Sequence, residues 1–131
     1  VYLGTNDWAF GAKTDRDLLV SEDGDESVFD FAYDRMLKKL KKNYPSSKIW
    51  CCTLSETYIS KHPNFVFPHV YAGRHMEEYN QIIRDTSARN ACGLIDLYSY
   101  RTPYDSIDGT HPTKRGMETI ATMIIQALMD V

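Results

Sequence analysis

The sequence predicts an α/β domain in which a parallel sheet is covered by helices. Three observations carry this. Short apolar segments at Val1-Tyr2-Leu3, Lys48–Leu54 and Cys92–Tyr98 alternate with longer stretches of helical period. Those segments are apolar without a strict two-residue alternation, as strands buried on both faces are. The residues past their carboxyl ends (Gly4–Asp7, Thr53–Ser55 and Ser99–His111) carry polar, reactive groups along the rim where such sheets bind ligands.

The elements follow in order. Val1-Tyr2-Leu3 reads as the tail of a buried strand, with residue 1 already inside it and Gly4 ending it. Residues 9–25 mix Gly, Asp, Lys and Ser and read as a surface loop. Glu26–Asn43 reads as a helix: Val28, Phe31, Ala32, Met36 and Leu40 recur at three- and four-residue steps, and Pro45 stops it. Lys38, Lys39, Lys41 and Lys42 load its C-terminal end, which favours the helix dipole and reads as a solvated face. Lys48–Leu54 is the second strand. Ser55–Gly73 is irregular and rich in aromatics (Tyr58, Phe65, Phe67 and Tyr71), so it reads as a long functional loop that walls a pocket. Arg74–Arg89 reads as a helix with a stripe of Met76, Tyr79, Ile82 and Ile83, and Cys92–Tyr98 as the third strand. In the last helix Met117, Ile120, Ala121, Ile124, Ile125 and Leu128 form an uninterrupted apolar face.

Composition narrows the function classes. The 131 residues suffice for one domain or part of one, burying roughly two-thirds of the unfolded surface. A hydrophobic share of 43% with 25% charged residues describes a globular chain, and a net charge of -3 gives no footprint for nucleic acid. No apolar run approaches the roughly 20 residues of a membrane span. Cys51, Cys52 and Cys92 are an odd count with two neighbours, a poor disulfide framework that favours a reducing compartment while leaving secretion open. The two strand cysteines read as buried, inert thiols. His62, His69 and His75 are spaced too widely for a local metal motif, so no metal or cofactor is expected.

The chemistry concentrates in Asp108-Gly109-Thr110-His111-Pro112. A carboxylate three residues before a histidine can accept from one ring nitrogen, fix the tautomer and leave the other nitrogen free as a base. Pro112 stiffens entry to the last helix. At the other end, Asn6 follows an apolar run and offers an amide suited to an oxyanion. Taken singly, Asn6-Asp7 reads equally as turn and cap residues, and Asp108-Gly109 as a turn pair. No serine sits in a recognisable nucleophile motif.

In this order and spacing, Gly4-Thr5-Asn6-Asp7 and Asp108-Gly109-Thr110-His111-Pro112 resemble the C-terminal part of an SGNH (GDSL-type) hydrolase. That family carries Ser, Gly, Asn and His blocks on a flavodoxin-like sheet of five parallel strands. The resemblance implies that residues 1–131 are the back three βα units of one such domain, with the nucleophilic Ser and second oxyanion Gly blocks upstream of Val1. It implies that His111 is general base and acid, Asp108 its orienting carboxylate and Asn6 an oxyanion donor. Gly4 would permit the tight strand exit and Asp7 complete the motif. The implied substrate is a small ester, with carbohydrate acetyl esters and short acyl esters both within the family's range. The Val1-Tyr2-Leu3 strand would then be central, and its exposed edge would pair with the missing N-terminal part or with a second copy. Two alternatives stay open: a non-catalytic relative serving as a binding or assembly module, and an unrelated flavodoxin-like ligand-binding domain, although no Gly-rich phosphate loop is present.

Overall fold

The computed structural model describes residues 1–14, 27–62, 70–71 and 73–131, with Val70 and Tyr71 described for their backbone. Strand β1 (Trp50–Cys52) pairs in parallel with β4 (Gly93–Ile95), in the register Trp50↔Gly93, Cys51↔Leu94 and Cys52↔Ile95. Helices α2 (Phe29–Asn43) and α3 (Met76–Arg89) lie on one side of this sheet and α5 (Lys114–Met129) on the other. The result is the parallel α/β architecture that the alternating pattern predicts.

Alternation along β1 sorts its side chains between the two layers. Cys51 packs with Trp8, Phe29, Tyr33, Leu37, Tyr79 and Ile83 under α2 and α3, whereas Cys52 packs with Ile95, Leu97, Tyr104 and Ile120 under α5. The neighbouring thiols therefore face opposite sides of the sheet, and all three cysteines are free. Burial pushes the Cys52 and Cys92 thiols above their ordinary values, as inert core cysteines require. Asn80, fully buried on α3, closes the strand end: its amide accepts from Leu54 N (2.7 Å) and donates to Leu54 O (3.0 Å).

Several elements differ from the sequence reading, each for an identifiable reason. Val1-Tyr2-Leu3 forms no regular strand. Only Val1 joins the sheet, donating to Trp50 O (2.6 Å) and accepting from Cys52 N (2.8 Å), before the chain turns at Gly4. Gly4 is buried at φ 129°, where a Cβ would lie 3.3 Å from the Phe29 ring, so glycine alone fits this exit without strain. The stretch read as a loop from residue 9 is preceded by a short helix, α1 (Thr5–Ala9), whose Trp8 is fully buried and donates from Nε1 to Arg74 O (3.0 Å). Residues 15–25 of that expected loop, and Glu26 of the expected helix, lie outside the described residues.

Helix α2 turns a second stripe further inward than the expected one, of which Val28 is fully buried and Met36 and Leu40 pack half-buried against the same core. Phe29, Tyr33 and Leu37 face the core, while Ala32, Met36 and Leu40 line an open groove with Arg35, Lys39 and Asn43. The expected aromatic loop ends in a hairpin of β2 (Val70–Tyr71) and β3 (Arg74–His75) about Gly73, which has φ 73°. Phe65, Phe67 and His69 lie outside the described residues, so the pocket wall assigned to them does too. The third strand stops at Ile95, and Asp96 takes the N-cap position of a short helix, α4 (Leu97–Tyr100). On α5 only Gly116 and Ile120 are buried, and Met117, Ile125 and Leu128 of the expected apolar face stand exposed. Among the described residues, no helix is long and apolar enough to cross a membrane.

Candidate active site

The loop from Asp105 to Thr113 is fixed before it is reactive. Ser106, fully buried, donates its hydroxyl to Ile59 O (2.5 Å) and accepts from Gly109 N (2.8 Å). Ile107 N donates to His111 O (2.9 Å), and Thr113 N to Asp105 O (3.1 Å). Thr113 caps α5 by accepting from Gly116 N (3.2 Å) while its hydroxyl donates to Asp105 Oδ2 (2.5 Å). A Cβ on Gly116 would fall 2.0 Å from Asp105 O, so this close approach of helix to loop depends on glycine.

Within that frame Asp108 organises a tight turn. Its Oδ1 accepts from His111 N (2.8 Å), Thr110 N (3.1 Å) and the Thr110 hydroxyl (3.1 Å), and Gly109 supplies the left-handed residue at φ 88°. The second oxygen, Oδ2, lies 2.7 Å from His111 Nδ1. With that nitrogen donating to the carboxylate, Nε2 is the basic position, on a side chain that is 75% exposed. Partial burial is the largest single influence on Asp108 and raises it. The amides of His111 and Thr110, the imidazole and the Thr110 hydroxyl outweigh it and hold the carboxyl well below the usual range. The pair thus has a fixed negative charge behind an accessible imidazole.

Asn6 and Asp7 stand exposed in α1, just after the Gly4 turn and near the carboxyl end of β1. Two phenols bridge this region and the Asp108 loop. Tyr2 hydrogen-bonds the Ser55 backbone, and burial raises its phenol to about 12. The Tyr104 hydroxyl donates to Ser55 O (3.1 Å), and its phenol is pushed upward by burial first and then by Tyr2, Asp108 and Glu56 nearby.

A second polar group at the strand ends was not read from the sequence. Asp96, following β4, accepts from the Thr53 hydroxyl (2.8 Å), which follows β1, and from Arg84 Nε (3.0 Å) and an Arg84 terminal nitrogen (3.2 Å). Arg84 also pairs with Glu77. Burial alone would raise Asp96, but Arg84 and Thr53 bring it below its ordinary value, and the Asp96 hydrogen bond is the leading cause that raises Arg84. This cluster ties α3 to both strand ends and holds the rim rigid. Thr53 carries a signal as a residue at the end of the second strand; Asp96 carries none, because the sequence reading runs the third strand on to Tyr98.

Comparison with known proteins bears on the fold and the family. The profile of the GDSL-like lipase/acylhydrolase family matches residues 1–119. Among solved structures, a protein from Lactobacillus plantarum superposes with a TM-score of 0.76 at 21% identity, covering 99% of this chain and 64% of its own. A possible lipase from Chitinophaga pinensis gives 0.70 at 16% identity, covering 99% and 71% respectively. An acetyl xylan esterase, AlAXEase, gives 0.62 at 21% identity, covering 96% and 64%. At these identities the likeness is one of fold, and the chain spans just under two-thirds of the Lactobacillus plantarum structure. No curated protein matches the sequence. On the profile match over most of its length, the chain belongs to the GDSL-like lipase/acylhydrolase family.

Proposed function

We propose that residues 1–131 are the C-terminal portion of an SGNH-type ester hydrolase, supplying the general base, its orienting carboxylate and one oxyanion donor. The single observation that carries this reading is the 2.7 Å contact between Asp108 Oδ2 and His111 Nδ1 on an exposed, braced turn. His111 Nε2 takes the proton of an attacking hydroxyl and returns it to the leaving alcohol, while Asp108 stabilises the imidazolium between the two transfers. Asn6 donates its amide to the developing oxyanion. Gly4 and Asp7 shape the turn that presents it. The substrate is a small ester, and the acetyl xylan esterase among the fold relatives supports an acetylated carbohydrate or another short acyl ester.

The nucleophile in this reading is a serine outside residues 1–131. Ser106, close to His111 in sequence, is buried with its hydroxyl committed to Ile59 and Gly109, which supports placing the attacking group elsewhere. Residues 1–131 alone are therefore expected to hydrolyse p-nitrophenyl acetate at no more than the residual rate of a site without its nucleophile. The same preparation is expected to associate along the edge beside Val1-Tyr2-Leu3, where Leu3 is 59% exposed, with the N-terminal part or with a second copy. Robust turnover abolished by a serine substitution within this chain would overturn the nucleophile assignment, and a stable monomer in light scattering would overturn the edge assignment.

Asn6→Ala in the whole domain is expected to lower kcat by about 10²–10³, the effect of removing one oxyanion donor. Steady-state kinetics on p-nitrophenyl acetate measure it, and a change smaller than threefold would remove Asn6 from the oxyanion hole.

A further inference from the structure

A cleft of 190 Å³ opens at the carboxyl ends of β1 and β4, lined by Ser55, Glu56, Tyr58, Tyr98, Arg101 and Pro103. It is smaller than pockets that enclose whole ligands, about 300–1,000 Å³, and fits a single ring or a short polar group. Both of its walls are anchored. On one, Tyr98 N donates to Thr53 Oγ1 (3.0 Å), the hydroxyl that also holds Asp96, so α4 is fastened to the end of β1. On the other, the Thr57 hydroxyl donates to Tyr104 O (2.6 Å) and accepts from Tyr104 N (3.1 Å). Arg101 ends α4 in the left-handed region, at φ 50°.

The lining has a definite chemistry. Glu56 lies beside the Tyr98 hydroxyl and within electrostatic reach of Arg101. Glu56 is also within electrostatic reach of Glu77 and His75, so charges of both signs meet at this cleft. The carboxyl and the guanidinium present acceptors and donors side by side, which matches adjacent hydroxyls, each both donor and acceptor. Tyr58, Tyr98 and Pro103 supply apolar surface for the carbon face of a ring. Ser55 accepts the Tyr104 hydroxyl, and Tyr104 also lies near Asp108, so Tyr104 links this cleft to the Asp108–His111 pair.

We propose that this cleft is a subsite for a neutral, hydroxyl-rich ring carried by the ester substrate, with Glu56 and Arg101 recognising its adjacent hydroxyls. The proposal rests on the ester-hydrolase reading only for the ring's attachment to the scissile ester. Two variants test it in the whole domain: Glu56→Gln, which keeps shape but removes charge, and Arg101→Gly, which keeps the left-handed backbone. In each, the ratio of kcat/KM for an O-acetylated methyl glucoside to that for p-nitrophenyl acetate is expected to fall about tenfold, as loss of a hydrogen bond to a charged group implies. A ratio unchanged within twofold in both variants overturns the subsite. If the protein hydrolyses neither ester, the hydrolase reading fails separately, and titration with unacetylated methyl glucoside decides the subsite by amide NMR. Shifts at Tyr98 and Arg101 that vanish in Glu56→Gln support it. Shifts elsewhere, no shifts, or a response only to an anionic methyl glucuronide overturn it.

Discussion

Replacing His111 by alanine in the whole domain is expected to abolish ester turnover, with a loss on the order of 10⁴–10⁶ in kcat. The argument runs from bonding. The imidazole is bound at one nitrogen by Asp108 and exposed at the other, so its removal takes away both the acceptor of the nucleophile's proton and its donor to the leaving alcohol. The fold does not depend on the ring. The Asp108 turn is held by backbone amides from Thr110 and His111, and the loop by Ser106 and Thr113, none of which needs the imidazole. Circular dichroism is therefore expected to be unchanged while turnover on p-nitrophenyl acetate disappears. A variant retaining more than a tenth of wild-type kcat would sink the general-base assignment.

The distance between sequence and structure is greatest where a pattern has more than one physical solution. Helix α2 is apolar along two neighbouring stripes. One holds Ala32, Met36 and Leu40, and the other Phe29, Tyr33 and Leu37. Periodicity detects both but cannot say which of them the sheet will take. The sheet buries the aromatic one more deeply, with Phe29 against Tyr33 and Tyr79 at ring centroids 5.6 and 5.2 Å apart, while Met36 and Leu40 of the other pack half-buried against the same core. Trp8 was invisible for the opposite reason, since the apolar residues Trp8, Ala9 and Phe10 are consecutive in a short stretch and set up no helical period. On α5 the apolar face was legible and its cover was not: Met117, Ile125 and Leu128 show that amphipathicity records a capacity for burial, not the presence of a partner.

The same division runs through the site. Asp108 and His111 are three residues apart within one turn, so their meeting depends on local geometry that spacing encodes. Arg84 and Asp96 meet across twelve positions, from a helix to the far end of a strand, and only the crossover brings them together. The strand-end rule points to Thr53, but not to Asp96, which falls inside the stretch that reads as the third strand, nor to the arginine between them. The cleft beside them is a tertiary product as well, since Glu56 and Arg101 belong to segments far apart in sequence.

Asp108→Asn is expected to lower kcat by about 10⁴ while leaving the turn intact. The amide retains an oxygen able to accept from Thr110 N and His111 N, so the two backbone bonds that shape the turn persist. At the second position a carboxylate oxygen becomes an NH₂ that donates toward Nδ1, driving the ring proton to Nε2 and blocking the nitrogen that must act as base. Stability changes in a defined direction as well. The wild-type carboxyl titrates below its ordinary value of about 3.9, so its ionisation stabilises the fold above that pH, and the contribution is lost as pH falls through the lower folded value. In the variant this acid-range dependence disappears. Imidazole nitrogen NMR reads the tautomer, urea titrations between about pH 2 and 6 read the linkage, and kcat reads the chemistry. Turnover within tenfold of wild type, with the ring proton moved to Nε2, would show that His111 does not work through Nε2.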